Sequence, residues 1–373
     1  MIAAGALLLA GCNSSSSGTD AYNVVQQAFF LNSGTQNGAN GTISVYDEDA
    51  GTLTLDQYSV TNTDGVNANI EDAAISYNQG AIYVLTSHPA RIISAAAIKV
   101  NNVTPKINLL KKIADVTDGL TNPQCATLSS STTTTTYVYM YVTDLGAPVT
   151  DVSGNTTYPN SYMAVYNVSS LTPVLLKKYN VGTAAHGIVY NNGMIFIATE
   201  EGIAVYTDDG SGACTKAGVY KNSDFTGRVY NLAIIDSYKI CAACQTKGVY
   251  TFSTENFETI KNYNFTTGTN PCLSTDNTTS AETVFFSNNG ASSGEACAGS
   301  LLTGTVTSLY KGKNITGINR NPDTKYTFVF DAGDYSAGAT VLMLDSSYAT
   351  AKTMTGGFGG KKALFISYYD YKE

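Results

Sequence analysis

Cys241-Ala242-Ala243-Cys244 is the tightest pairing of soft ligands in this sequence, and three chemistries use that spacing. Attachment of a c-type haem needs a histidine next, and Gln245 stands there. A zinc knuckle needs a second Cys or His pair at ligand spacing, whereas the 373 residues hold two histidines, the widely separated His88 and His186. A dithiol redox motif should open a helix after a strand, but KICAACQTKGVYTF reads as strands around a turn. With Cys12 set apart, Cys125, Cys214, Cys241, Cys244, Cys272 and Cys297 form an even set. In an exported chain such a set signals structural disulfides, and these six are expected to be paired.

Hydrolytic chemistry finds less to work with. To act as a base, His186 needs a nucleophile or carboxylate within hydrogen-bond reach, and no Gly-x-Ser-x-Gly elbow accompanies it. It is expected to be a hydrogen-bonding loop residue. The acidic groups Asp47-Glu48-Asp49, Asp208-Asp209-Gly210 and Asp331 with Asp334 do not match a calcium loop. They fall where hairpin turns are expected, and Asp favours turns for its own reasons. Gly356-Gly357-Phe358-Gly359-Gly360-Lys361 lacks the hydroxyl and spacing of a phosphate loop. It reads as a flexible loop ahead of the last strand, Ala363 to Tyr368. No metal, cofactor or catalytic residue is expected, and an enzyme is the less favoured class.

A repeated unit must position whatever chemistry there is. In HGIVYNNGMIFIATEEGIAVY, residues 186–206, β-rich runs are punctuated by Asn191-Asn192-Gly193 and Glu200-Glu201-Gly202, with Ala217 to Tyr220 as a fourth strand. The pattern repeats from Tyr230 to Ile235, Tyr238 to Cys244, Gly248 to Phe252 and Thr259 to Tyr263. Comparable sets start at Ala73, Cys125, Cys272 and Gly317. An N-terminal set comprises Ala28 to Leu31, Thr42 to Tyr46 and Leu53 to Tyr58. Roughly seven units of four strands, with a period of about 40–60 residues, predict an all-β chain. The fold class is a seven-bladed β-propeller with four-stranded antiparallel blades, because stacking around an axis buries both faces of each sheet. No 3.6-residue apolar period persists for three turns, so long helices are not expected. Ser129 to Thr136 and Asn155 to Asn160 swell the third unit and should project from one face.

AFFLNSGTQNGANGTISVYDEDAGTLTLDQYSVTN followed by IEDAAISYNQGAIYVLTS resembles the start of YVTN-type seven-bladed propeller lipoproteins. The later GIAVYTDDG…CTKAGVY and GVYTFSTENFETIKNYNF are similar to LVIVD-type propeller repeats. The resemblance spans most of residues 22–373 and implies a surface protein, in a group where some members bind corrinoids.

In a propeller the segment leading into each innermost strand converges on the central channel. Those positions are Glu71 and Asp72, Gln124, His186, Arg228 with Tyr230 and Asn231, Asn270, and Asn319 with Arg320. Together they would form a polar funnel for a ligand, with Tyr230 as a flat contact surface. The same groups would equally cap strand ends and hold channel water.

The N-terminus and composition give the address. Ile2 to Ala10 is too short to span a bilayer but has the length of a signal-peptide apolar region. It ends in Leu9-Ala10-Gly11-Cys12, which resembles a lipobox with Cys12 as the acylated residue, although no Lys or Arg precedes it. The expected organisation is a leader over 1–12, a Ser-rich tether over 13–21 and a propeller over 22–373. Charged residues make up 13%, against about 25% in ordinary soluble domains. A net charge of −8 excludes nucleic acid as a partner and leaves the lipid anchor as the contact with membrane. The reading is a non-enzymatic, lipid-anchored surface protein that binds a small ligand or a partner protein. Its rival is a self-associating subunit of a filament or surface layer, since few charges need desolvating at an interface.

Overall fold

The computed structural model describes residues 22–35, 38, 40–99, 108–129, 137–225, 227–255, 259–276 and 282–371. Cys12, the leader, the tether and most of the Thr run therefore lie outside the described residues. Seven four-stranded antiparallel sheets form the ring. Numbering begins at the closure. Blade 1 runs outward from Gly360–Tyr371 through Tyr22–Asn32 and Thr42–Asp47 to Thr52–Thr54. The innermost strands of blades 2 to 7 are Asn69–Ser76, Pro123–Leu128, Ile188–Asn191, Val229–Asp236, Leu273–Thr275 and Ile315–Arg320. Blade 1 joins both ends of the described chain, with Tyr22 opposite Tyr371 and Asn32 opposite Gly360.

Strand period dictates the core. Successive side chains point to opposite faces, so each strand feeds two interfaces. In blade 3, Tyr139 and Tyr141 pack against Ile195 and Ile197 of blade 4. Their neighbours Met140 and Val142 face Tyr83 and Leu85 of blade 2. The same alternation sends Phe285 of blade 6 against Val329 of blade 7 and Phe286 against Ala243 of blade 5. At the closure, Phe30 lies between Phe328 and Phe330, with ring centroids 5.4 and 5.3 Å away. Burial of each such ring contributes roughly 1.5–3 kcal/mol, so closing the ring is an apolar event as well as a hydrogen-bonded one.

The first unit departs from its expected strands. The outer strand of the first unit stops at Thr54, and Gln57–Asn62 is a short helix. Asp56 caps it, accepting from Ser59 N–H, and Tyr58 is buried beneath. Asn62 Nδ2 then donates to the Leu110 carbonyl at 2.7 Å. The third-blade insertion contains a small hairpin of Val149–Thr150 and Thr156–Thr157.

The disulfide expectation is corrected outright: Cys125, Cys214, Cys241, Cys244, Cys272 and Cys297 are free. For Cys241 with Cys244, and for Cys272 with Cys297, their places in the sheets explain it. Cys241 and Cys244 share one strand but face opposite blades, Cys241 toward blade 6 and Cys244 toward blade 4. Cys297 faces blade 5, while Cys272 of the same blade packs with the blade 7 interface. These thiols act as small apolar side chains in packed faces.

The acidic turns follow turn chemistry. Asp208 Oδ1 accepts from Gly210 and Gly212 N–H, and Asp334 Oδ1 from Ser336 N–H. Glu48 does more, accepting from Asn321 Nδ2 and Thr324 Oγ1 of blade 7, each at 2.7 Å.

Candidate functional site at the channel mouth

In blades 1 to 5 and in blade 7 the innermost strand starts with an irregularity that carries one extra residue. In blade 2, Ile70 pairs with Thr86 and Asp72 with Leu85, which leaves Glu71 over. The same shift leaves over Gln124, Tyr230 and Thr316 in blades 3, 5 and 7. In blade 1, Leu31 pairs with Lys362 and Asn32 with Gly360, so Lys361 is the extra residue. Blade 4 sets His186 N–H and the Gly187 carbonyl against one residue, Ala198. Pro271 stands at the corresponding place before Leu273–Thr275. A bulge bends its strand and re-aims a side chain. One residue from every blade thereby lines a cavity of roughly 560 Å³, a size suited to a small molecule.

Close approach of the innermost strands fixes the backbone here. A Cβ on Gly317 would run into the Lys361 carbonyl, and one on Gly187 would lie 2.9 Å from Asn231 Cα. Only glycine allows that spacing. Thr143 Oγ1 donates to the His186 carbonyl at 2.6 Å, and Gly187 N–H donates to the Tyr230 carbonyl at 3.2 Å.

Electrostatics separate the roles. Lys361 Nζ lies 3.1 Å from Glu71 Oε2, and Ser87 Oγ donates to the other carboxylate oxygen at 2.5 Å. Burial pulls the Lys361 ammonium down, but the Glu71 carboxylate, its hydrogen bond and the Cys125 and Asp72 charges together outweigh it and hold its pKa above the usual value. Lys361 is therefore a fixed cation. His186 is the opposite case. Burial first, then the Arg228 and Lys361 charges, push it down from 6.5 to about 4, so the ring is neutral at pH 7. The Tyr230 ring lies against it, with centroids 4.5 Å apart. Burial raises the Tyr230 phenol, and it pushes the Cys125 thiol in the same cavity up to about 12. Neither is a nucleophile at neutral pH. A neutral imidazole beside a fixed ammonium can deprotonate water and stabilise an oxyanion.

The expected site residues divide. Glu71, Gln124, His186, Tyr230, Asn231 and Asn270 all line the cavity. Asp72 turns between blades, where Lys362 Nζ lies 2.6 Å away and Ala126 N–H donates to it at 3.0 Å. Arg228 stands behind the wall, donating to the Ala184 carbonyl at 3.0 Å while its charge reaches His186. Asn319 and Arg320 are corrected. Asn319 accepts from Ala363 N–H between strands, and Arg320 lies at the far end of its strand, donating to Tyr348 Oη at 3.1 Å. Lys361, Thr316 and Pro271 also line the cavity and were not picked out in the sequence. The signal for Lys361 was a polar residue just before an apolar run, the pattern that picked out Glu71.

Fold and mouth together define a seven-bladed propeller with a funnel lined by every blade. No family model matches the sequence, and no curated protein matches it. Solved structures do. A periplasmic gluconolactonase of Pseudomonas aeruginosa superposes with a TM-score of 0.62 at 12% identity, covering 92% of this chain and 99% of that one. A Bacteroides uniformis protein provisionally described as a 6-phosphogluconolactonase gives 0.59 at 13% identity, with coverage of 92% and 99%. AztD of Citrobacter koseri gives 0.58 at 9% identity, with coverage of 92% and 98%. At these identities the likeness is one of architecture.

The expectation of a non-enzymatic binding propeller is corrected here. Propellers named as lactonases share this architecture over nearly their full length. The mouth also brings His186 into one cavity with the Lys361–Glu71 pair.

Proposed function

We propose that this protein is a lactone hydrolase whose active site is the channel mouth. The observation that carries the reading is a neutral His186 in the same cavity as the Lys361–Glu71 pair. His186 takes a proton from water, and the oxygen attacks the lactone carbonyl carbon. Charge gathering on the carbonyl oxygen is met by the Lys361 ammonium, which Glu71 keeps protonated and oriented. Collapse breaks the bond from acyl carbon to ring oxygen, and the departing alkoxide takes the proton from His186. Lactone plus water gives a hydroxy acid, and the enzyme returns to its starting state. Tyr230 holds the plane of the imidazole. The architecture shared with the periplasmic gluconolactonase of Pseudomonas aeruginosa supports the same reading.

A place outside the cytoplasm fits that neighbour and the leader-like start. We extend it to a lipid anchor at Cys12 of the type found in YVTN-like propellers. Ring opening releases a proton, so a pH-stat run over five- and six-membered lactones tests the function. Proton release above the uncatalysed background is expected for at least one of them. No turnover across the series would overturn the proposal.

A further inference from the structure

Among the described residues, the charged side chains lining the cavity are Glu71 and Lys361, and they are paired with each other. The cations nearby are committed elsewhere. Lys362 is held by Asp72 at 2.6 Å, and Arg228 donates to the Ala184 carbonyl outside the lining. With His186 neutral, the mouth carries no net charge at pH 7. Its walls are instead rich in amides: Asn69, Gln124, Asn231, Asn270, Asn289 and Asn314. Asn69 Oδ1 is buried without a hydrogen-bond partner. A buried acceptor left unpaired is costly.

We infer that the site takes an uncharged, polyhydroxylated ring, an unphosphorylated sugar lactone, and discriminates against its phosphate ester. That the ring is a lactone rests on the proposed function; the charge preference rests on the cavity alone. A phosphate dianion needs an uncompensated cation or a cluster of N–H groups in exchange for its hydration. Here it would meet a cation already neutralised by Glu71, and would suffer repulsion from that carboxylate.

The test uses ligands that cannot be hydrolysed, so it is independent of catalysis. Calorimetry of the whole protein with 1,5-anhydroglucitol and with its 6-phosphate compares the two classes directly. The neutral ring should bind at least about tenfold more tightly. Glu71→Gln should release the Lys361 charge and raise affinity for the phosphate by about tenfold without improving the neutral ring. Because that variant is expected to gain binding, misfolding cannot imitate the result. Tighter binding of the phosphate by the wild type, or binding of neither compound, would overturn the inference. Binding as expected with no lactone turnover would leave it standing and bring down the lactonase reading alone.

Discussion

Lys361 and Glu71, 290 residues apart in sequence, meet at 3.1 Å across the seam where the ring closes. Lys361 sits on the C-terminal strand that pairs with the N-terminal one, and Glu71 leads the next blade. The proposed oxyanion-stabilising cation is thus delivered by the strand that completes the fold. Removing one preorganised donor from such a site costs about 10²–10³ in kcat. Lys361→Met is expected to lose that much while keeping the wild-type far-ultraviolet spectrum. Steady-state kinetics beside circular dichroism checks it.

The depressed His186 fixes the pH behaviour. Its pKa of about 4 lies below the usual 6.5, so between those values the unfolded chain binds a proton that the folded one refuses. His186 therefore contributes no penalty above pH 6.5, and stability falls as pH drops from there toward 4. His186→Gln should flatten that part of the curve in denaturant titrations at several pH values.

Arg228 adds a kinetic counterpart. Its charge helps to hold His186 down without its lining the cavity. The acid limb of kcat/KM should lie near pH 4 in the wild type. In Arg228→Met it should move up toward 6.5, with activity at pH 8 reduced far less than by Lys361→Met.

Asp72 staples three blades, taking Lys362 from blade 1 and Ala126 N–H from blade 3. Asp72→Ala would strand a half-buried ammonium and a buried N–H, at a cost of about 2–3 kcal/mol. Asp72→Asn keeps an acceptor for the N–H and should cost less. Urea unfolding of both variants gives the ranking.

Much of the architecture was legible because strand and turn chemistry is local. The runs either side of Asn191-Asn192-Gly193 announce a hairpin without knowledge of the rest. His186 and Glu71 were legible as cavity-lining residues since each precedes an apolar run. Lys361 was not, because Gly356 to Gly360 has the composition of a loop. In the fold Gly357 is part of the outer strand Thr350–Phe358, where a Cβ would crowd Thr42 and Asn32. Thr316 was missed because the expected strand began at Gly317, one residue after it, and the residues picked, Asn319 and Arg320, lie at the other end. The cysteines misled because their even number is visible in sequence, whereas the opposed faces of Cys241 and Cys244 appear once the strand is placed.

Free, buried cysteines make a direct prediction of their own. Cys241, Cys244 and Cys297 are buried, and burial pushes each thiol up to about 12. They should resist alkylation in the native protein and react in full once it unfolds. Added reductant should leave the melting temperature unchanged; a fall would show a disulfide that the fold does not contain.

The most direct test of the account is ring opening of D-glucono-1,5-lactone by wild type and His186→Gln, followed by pH-stat between pH 5 and 7. If His186 is the base, the wild type turns over across that range with little pH dependence, and the variant falls by about 10²–10⁴ with its fold intact. Equal rates for the two proteins would contradict a base at the channel mouth and remove the lactonase assignment with it.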